Sequence, residues 1–337
     1  MQSIIDSIVQ NVFDVLNPKQ RKILTERFGL NNNRESTLQK IGDDLGITRE
    51  RVRQIQNRAL DKIKYNIQNY SNKLIDLSMQ HLKNSGGIRE HKLFLNDIIV
   101  YLKDNSKFAD KKLQFIYFVV NQPLHYEENE SYYSFWYSDS NVLKVFNSFV
   151  NDFLQYIKSN DKSKILVEKK YLYQIKSLHQ VHYLSLAKHF GLNIFNDFGL
   201  SEWPEINPKS MRDKIYLILK YYTKPMHFTE IAKKISDHWG YSDFSVATVH
   251  NELLKDDRFV LVGRGIYGLS ENGYKGGTAK DIICEVLKKY GPLTKQEIIN
   301  KVSNIKLLKP NTILVNLQDK NLFKKLEDGH YILKKNV

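Results

Sequence analysis

Apolar residues recur at helical spacing through most of the chain, and the sharpest such run lies at residues 37–64. Leu38, Ile41 and Leu45 mark one helix, with Ser36 and Gln39 placed as a capping box at its start. Gly46 can take the positive φ that stops it, Ile47 plugs the turn, and Thr48 suits the N-cap of the next helix. Val52, Ile55, Ala59 and Ile63 then form one apolar stripe, while Glu50, Arg53, Gln54 and Asn57 occupy the opposite face. The pattern predicts two helices joined by a tight turn, the second running to about Tyr70.

Upstream, residues 1–16 place Ile, Val, Phe and Leu at helical spacing. Asn17-Pro18 is a helix start, a cap residue followed by proline at the first helical position, and that helix ends at Gly29. Residues 31–35 read as a polar loop. Downstream, amphipathic helices are expected near 72–84, 91–103, 109–120 and 140–159, with Gly86-Gly87 as a break. The aromatic run 132–137 has strand propensity; it reads either as a buried strand or as a base-stacking patch. Leu184 to Phe190 predicts a short helix stopped by Gly191. Residues 201–208, with two prolines, read as a linker.

The last third of the chain repeats. Thr248, Leu253, Phe259, Gly265, Tyr267 and Leu269 recur as Thr312, Leu317, Phe323, Gly329, Tyr331 and Leu333, every pair 64 residues apart, which marks an internal duplication. The first copy opens with Met211, Ile215, Ile218, Leu219 and Tyr222 on one helical face. Thr229 is placed to cap a second helix (Ile231, Ile235 and Trp239 inward), and Ser245 a third, with Val246, Val249 and Leu253 inward. Two short strands, 259–262 and 266–269, follow through Gly263-Arg264-Gly265. In the second copy Thr294 and Glu297 form a capping box, and Asp328-Gly329 is a two-residue hairpin turn. Three helices and a hairpin predict a winged helix in each copy. The expected architecture is mainly α and multi-domain: a helix-turn-helix domain over 1–70, a helical middle domain and linker over 71–205, and winged helices over 206–275 and 276–337.

Composition narrows the partner. The chain of 337 residues carries a formal net charge of +14, which favours a polyanion, nucleic acid before membrane; a generally lysine-rich proteome is the plainer explanation. One cysteine, Cys284, excludes an intrachain disulfide framework and a cysteine-based zinc site, and fits a reducing, cytoplasmic compartment. No apolar run approaches the roughly 18 residues of a membrane span, and the N-terminus has no secretory pattern. No cofactor or small-molecule substrate is indicated.

The helix pair at 37–64 has the chemistry of a DNA reader. In residues 49–64 six basic residues against two acidic ones leave +4. The first helix would brace across the DNA backbone while the start of the second reaches base edges. Arginine can grip guanine through two hydrogen bonds, glutamine can do so with adenine, and glutamate can accept from the cytosine amino group. The plain alternative is a solvated basic helix on an ordinary bundle.

The run from Gly46 to Ile55 (GITRERVRQI), followed by Ala59-Leu60, resembles region 4.2 of bacterial primary sigma factors. Residues 16–21 (LNPKQR) and 27–30 (RFGL) resemble region 4.1 of the same family. The resemblance covers roughly 10–66. It implies binding to double-stranded promoter DNA of the −35 kind, with Arg49, Glu50 and Gln54 at base edges and Arg51 and Arg53 near the backbone. It also implies contact with RNA polymerase core. Thr48, Arg58 and Lys62 are further candidates for phosphate contact. No segment resembles the sigma region that melts the −10 element.

The first repeat is similar to the HARE-type helix-turn-helix family, which includes the N-terminal domain of the RNA polymerase delta subunit. The residues that carry this are 211–214 (MRDK), 225–228 (PMHF), Ile231-Ala232, 248–253 (TVHNEL) and 259–267 (FVLVGRGIY). The similarity implies a nucleic-acid-bound or polymerase-bound module. Its outward face, Thr248, Asn251, Glu252 and Lys255, is mixed in charge, and Arg264 is the candidate wing contact.

Two groups of residues have the chemistry of an enzyme site. His179, His182 and His189 could hold a metal but have no acidic or cysteine partner at a recognisable spacing. Asp161 followed by Glu168 and Lys170, around Ile165, Leu166 and Val167 as an apolar strand, is the layout of some metal-dependent nucleases. Charges flanking a strand are common in a lysine-rich chain, and no P-loop or nucleophile elbow is present. The reading is therefore a non-enzymatic DNA-binding transcription protein that links promoter DNA to polymerase. The alternatives are a delta-like polymerase accessory protein with little sequence preference, and a nuclease or restriction-type protein.

Overall fold

Small polar side chains start the N-terminal helices. Ser3 Oγ accepts from Asp6 N (3.0 Å) at the head of α1 (Ile4–Phe13), and Asn17 and Gln20 form a reciprocal capping box on α2 (Pro18–Arg27). At α3 (Leu38–Leu45) the cap is Thr37, whose Oγ1 accepts from Lys40 N, and not the Ser36–Gln39 box expected from sequence. The computed structural model describes residues 3–32, 34–240 and 244–334. Met1 and Gln2, in the first predicted helix, and Asn33, in the predicted polar loop, lie outside these. So do Tyr241 to Asp243 in the first predicted winged helix and Lys335 to Val337 in the second. Two units make up the chain, Met1–Gly191 and Leu192–Val337.

In the first unit, α4 (Arg49–Asn84) is a single helix of 36 residues. The sequence suggested an end near Tyr70 and a separate helix at 72–84. No Gly or Pro interrupts 49–84, and the helix stops only at Ser85, before Gly86 and Gly87 at φ 83°. Its buried face continues past Ile67 through Ser71, Leu74, Ile75, Ser78 and Leu82. Two serines in that face hide the stripe from a hydrophobicity reading. Each is satisfied within the helix: Ser71 Oγ donates to Ile67 O (2.9 Å) and Ser78 Oγ to Leu74 O (2.7 Å).

The segment after α4 is not simply helical. β1 (Ile88–Glu90), α5 (His91–Leu102), α6 (Ala109–Val120), β2 (Leu124–Tyr126) and β3 (Phe135–Tyr137) follow, with antiparallel sheet order β1-β3-β2. With the C-terminal half of α4 as first helix, this is the strand and helix order of a winged helix, absent from the sequence reading. The aromatic run contributes β3, where Phe135 and Trp136 are buried, so it is core and not a stacking platform. The third helix, α6, faces inward. Phe115 meets Phe13 and Phe28 edge-on at 5.8 and 4.9 Å, and Phe118 lies 5.2 Å from Phe28. Lys112 pairs with Asp6 (2.5 Å) and Lys111 with Glu35 (2.8 Å). One hydrophobic cluster therefore joins α1, α4, α5 and α6 across position 70.

The unit continues with α7 (Ser140–Ser159), α8 (Lys162–Leu166) and α9 (Leu178–Leu186). The predicted helix at 184–190 is displaced: Ser177 caps α9, and Phe190–Leu192 is a strand, β4, with β5 at Phe198–Leu200. The proposed linker at 201–208 is packed, since Trp203 and Ile206 are buried.

The second unit holds the duplication. Copy one is α10 (Met211–Tyr222), β6 (Met226–His227), α11 (Phe228–Trp239), α12 (Val246–Lys255), β7 (Phe259–Gly263) and β8 (Ile266–Leu269), with sheet order β6-β8-β7. Copy two is α13 (Ala279–Tyr290), α14 (Lys295–Ser303), α15 (Pro310–Asn316), β9 (Phe323–Lys325) and β10 (Tyr331–Leu333). Register follows the 64-residue offset: Phe259 pairs with Leu269 as Phe323 does with Leu333, and Leu261 with Tyr267 as Lys325 with Tyr331. The strand equivalent to β6 is reduced to one bridge, Leu293 to Tyr331. Each copy has its own buried cluster. The copies touch where Leu307 N donates to Val262 O (3.0 Å).

Three details differ from the sequence reading. His227, not Thr229, caps α11. Val246 is exposed, because it stands at the first helical position of α12. The second wing turns through Glu327-Asp328-Gly329, closed by Leu326 N donating to His330 O, one residue longer than expected. The fold is mainly α with small antiparallel sheets.

Candidate nucleic-acid interface

The pair α3–α4 sits on a small core of its own. Ile23, Ile41 and Val52 are buried together, with Leu38, Leu45, Ile47 and Ile55 packed around them. Gly46 ends α3 at φ 64°, and Ile47 N donates to Gly42 O (3.0 Å). Gly42 went unnoticed in sequence; a Cβ there would lie 2.6 Å from Ile47 O. Its signal was a glycine inside a helical pattern, which marks a close backbone approach. Arg27 Nη1 donates to Ser36 O (3.1 Å) and ties the preceding loop to α2.

Thr48 Oγ1 accepts from Arg51 N (3.2 Å) and caps α4 as predicted. The first turn of a helix concentrates unpaired N–H groups and partial positive charge, so it favours anions. Arg49, Glu50, Arg51, Arg53, Gln54, Arg58 and Lys62 are all exposed, while Val52, Ala59 and Ile63 face inward. The predicted base readers thus share one end and one surface of α4.

Two of them are engaged within the chain. Arg53 grips Glu50 through two hydrogen bonds, Nε to Oε2 (2.9 Å) and Nη2 to Oε1 (2.7 Å). The guanidinium holds the Glu50 carboxyl below the ordinary glutamate value, and the carboxylate raises Arg53 in turn. Arg51 Nη1 donates to Gln54 Oε1 (3.1 Å). These contacts are one turn apart on an exposed face and open at little cost. Among the described residues Arg49, Arg58 and Lys62 form no ion pair. Arg49 is therefore free to meet a ligand without first breaking a contact.

In the first repeat the candidate face is partly consumed. Glu252 accepts from Arg212 and from Lys255 at 3.0 Å each. Thr248 Oγ1 lies 3.1 Å from Ser245 Oγ. Arg264 stands exposed at the wing.

The nuclease layout is corrected. Residues 165–167 are not a strand; Asp161 Oδ1 caps α8 by accepting from Ser163 N (2.9 Å), and Glu168 pairs with Lys170 (2.5 Å). The backbone hydrogen bond from Ser163 holds Asp161 below the usual carboxylate range. His179 lies against Gly86, and among the described residues no group of three His, Cys, Asp or Glu side chains is arranged to hold a metal ion. No helix among them is long and apolar enough to cross a membrane.

Comparison with known proteins bears on the N-terminal segment. An RNA polymerase sigma factor SigA of Microcystis aeruginosa is 44% identical over 57 residues, 17% of this chain and 14% of that protein. The chloroplastic RNA polymerase sigma factor sigF of Arabidopsis thaliana is 40% identical over 62 residues, 18% of this chain and 11% of its own. RNA polymerase sigma factor RpoD of Neisseria gonorrhoeae is 34% identical over 65 residues, 19% of this chain and 10% of that protein. The chain thus spans about a tenth to a seventh of the length of these relatives. Residues 12–64, which hold α2, α3 and the start of α4, match the family model described as Sigma-70, region 4.

Proposed function

We propose that the chain binds double-stranded, promoter-type DNA through α3 and α4 and joins it to RNA polymerase core in transcription initiation or its regulation. Arg49, Glu50 and Gln54 read base edges. Thr48, Arg51, Arg53, Arg58 and Lys62 meet phosphates. The observation that carries this is the exposed, Thr48-capped start of α4, seated on a private core inside the segment that matches sigma region 4. Ion pairs such as Arg53–Glu50 hold the reading face in order until DNA competes for them. Arg264 is the proposed wing contact of the first repeat, itself read as a HARE-type winged helix over 206–275, with a second winged helix over 276–337. No catalytic residue is proposed.

The test is selection from a random-sequence duplex pool with the purified chain, against an Arg49→Ala/Gln54→Ala control. An enriched motif lost in the control establishes a sequence reader. Bulk binding without a motif replaces this reading with that of a polymerase-bound accessory protein.

A further inference from the structure

The second repeat carries a surface cup of about 690 Å³ whose floor is Leu317, Phe323 and Tyr331 and whose rim includes Lys320, Lys324, Lys325 and Lys334. All four lysines are exposed, and none forms an ion pair among the described residues. Of the acidic residues beside the cup, Asp319 holds Lys280 at 2.6 Å and Asp328 holds His330 at 3.1 Å, while Glu327 stands exposed in the turn.

The duplication supplies an internal control. At the offset of 64 residues the first repeat has Asp256, Val260, Leu261 and Ser270 where the second has these four lysines. Both copies keep the same strand register and the same buried Phe, Tyr and Leu positions. The fold therefore does not require lysine at any of the four. Asp256 in copy one is bound by Arg258 (2.7 Å), and Leu261 O accepts from Lys306 Nζ (3.2 Å). Gathering four like charges around one cup is unfavourable by itself, since they repel. A polyanion offsets that repulsion. The rim is rich in donors and offers no planar fork, the chemistry of point charges that meet phosphates without reading shape. The floor aromatics are buried, so bases have no exposed ring to stack on.

We propose that the second repeat holds the phosphodiester backbone of duplex DNA through Lys320, Lys324, Lys325 and Lys334, as a non-specific anchor separate from the reading helix α4. This rests on the proposed reading of the chain as DNA-binding, and the experiment separates the two.

The full chain is titrated with a random-sequence duplex over a series of salt concentrations. Replacing all four lysines by Ala makes the negative slope of log K against log salt shallower by about 3 to 4, since each phosphate contact contributes about −0.9. Replacing them by Arg preserves the slope. The same loss in an Arg49→Ala/Gln54→Ala background shows an anchor independent of α4. A slope unchanged by the Ala variant, in a chain that still selects a motif, overturns the anchor alone and leaves an acidic protein segment as the occupant. A full chain that binds no duplex overturns both readings.

Discussion

Gly42 and Ile47 hold the helix-turn-helix closed. Ile47 N donates to Gly42 O at 3.0 Å, and the Ile47 carbonyl comes so near that a Cβ on Gly42 would sit 2.6 Å from it. Gly46, four residues on, is constrained differently: its φ is 64°, yet a Cβ there meets nothing within 4 Å. Gly42→Ala must push backbone against backbone and is expected to cost about 1–3 kcal/mol. Gly46→Ala carries only left-handed strain, about 1–2 kcal/mol, and Gly46→Asn less. Urea unfolding of the three variants checks the order.

The helix caps give a second comparison. Thr37→Ala and Thr48→Ala each remove an oxygen that accepts a backbone N–H, at a cost of about 1 kcal/mol apiece. Ser36→Ala is expected to change nothing, because its hydroxyl is not the cap. A stability loss in the Ser36 variant equal to that of Thr37 would show that the Ser36 hydroxyl caps α3 after all.

On α4, Arg49→Ala is expected to cost about 1–3 kcal/mol at a cognate site and to relax preference for one base. An equal loss on every sequence would show that Arg49 meets phosphate only. Arg53→Ala frees Glu50, whose carboxyl is held low by that guanidinium; a carboxylate titration followed by NMR should move up toward the ordinary glutamate value.

Ser78 and Tyr117 link α4 to α6 in the core, with their oxygens 2.6 Å apart. Because Ser78 already donates to Leu74 O, Tyr117 is the donor to Ser78. Ser78→Ala leaves the Tyr117 hydroxyl buried without an acceptor and should cost about 1–3 kcal/mol. Tyr117→Phe leaves Ser78 satisfied through Leu74, so its cost should be smaller. Thermal unfolding of both variants decides; equal costs would refute the assigned direction.

His91 Nδ1 lies 2.9 Å from His125 Nε2, and both rings pack on Trp136. Burial lowers both pKa values, and His125 lowers His91 further. A lowered folded pKa means that protons bind the unfolded chain more readily. Stability from this pair is therefore full above the unfolded value of about 6.5 and falls as pH drops through the folded values. His91→Asn should flatten that acid limb in a Tm-against-pH series.

Much of the local structure was legible because it depends on neighbours in sequence. Thr48, Gly46 and the Asn17-Pro18 start act within a few residues, and α5, α6 and α7 follow from their own periodicity. The 64-residue duplication was legible for a similar reason, since both copies keep the same inward positions.

Other features depend on partners far along the chain. The Ser71 and Ser78 positions look polar until the helix bonds their hydroxyls internally, so the unbroken length of α4 was hidden. The winged-helix order after α4 rests on strands of three residues, too short to show a period, whose pairing brings Arg89 to Trp136. The pairing of Glu50 with Arg53 was available from spacing, but only rotamers in three dimensions close it. The sequence by itself determined that α3 and α4 are a capped helix pair with a basic exposed face and that the C-terminal unit is doubled, because local spacing and periodicity survive any packing. Tertiary structure decided that α6 is buried on Phe13 and Phe28, because segments about ninety residues or more apart must meet, and that four lysines share one cup, because the pairing of β9 with β10 sets which side chains of that short stretch line the same surface.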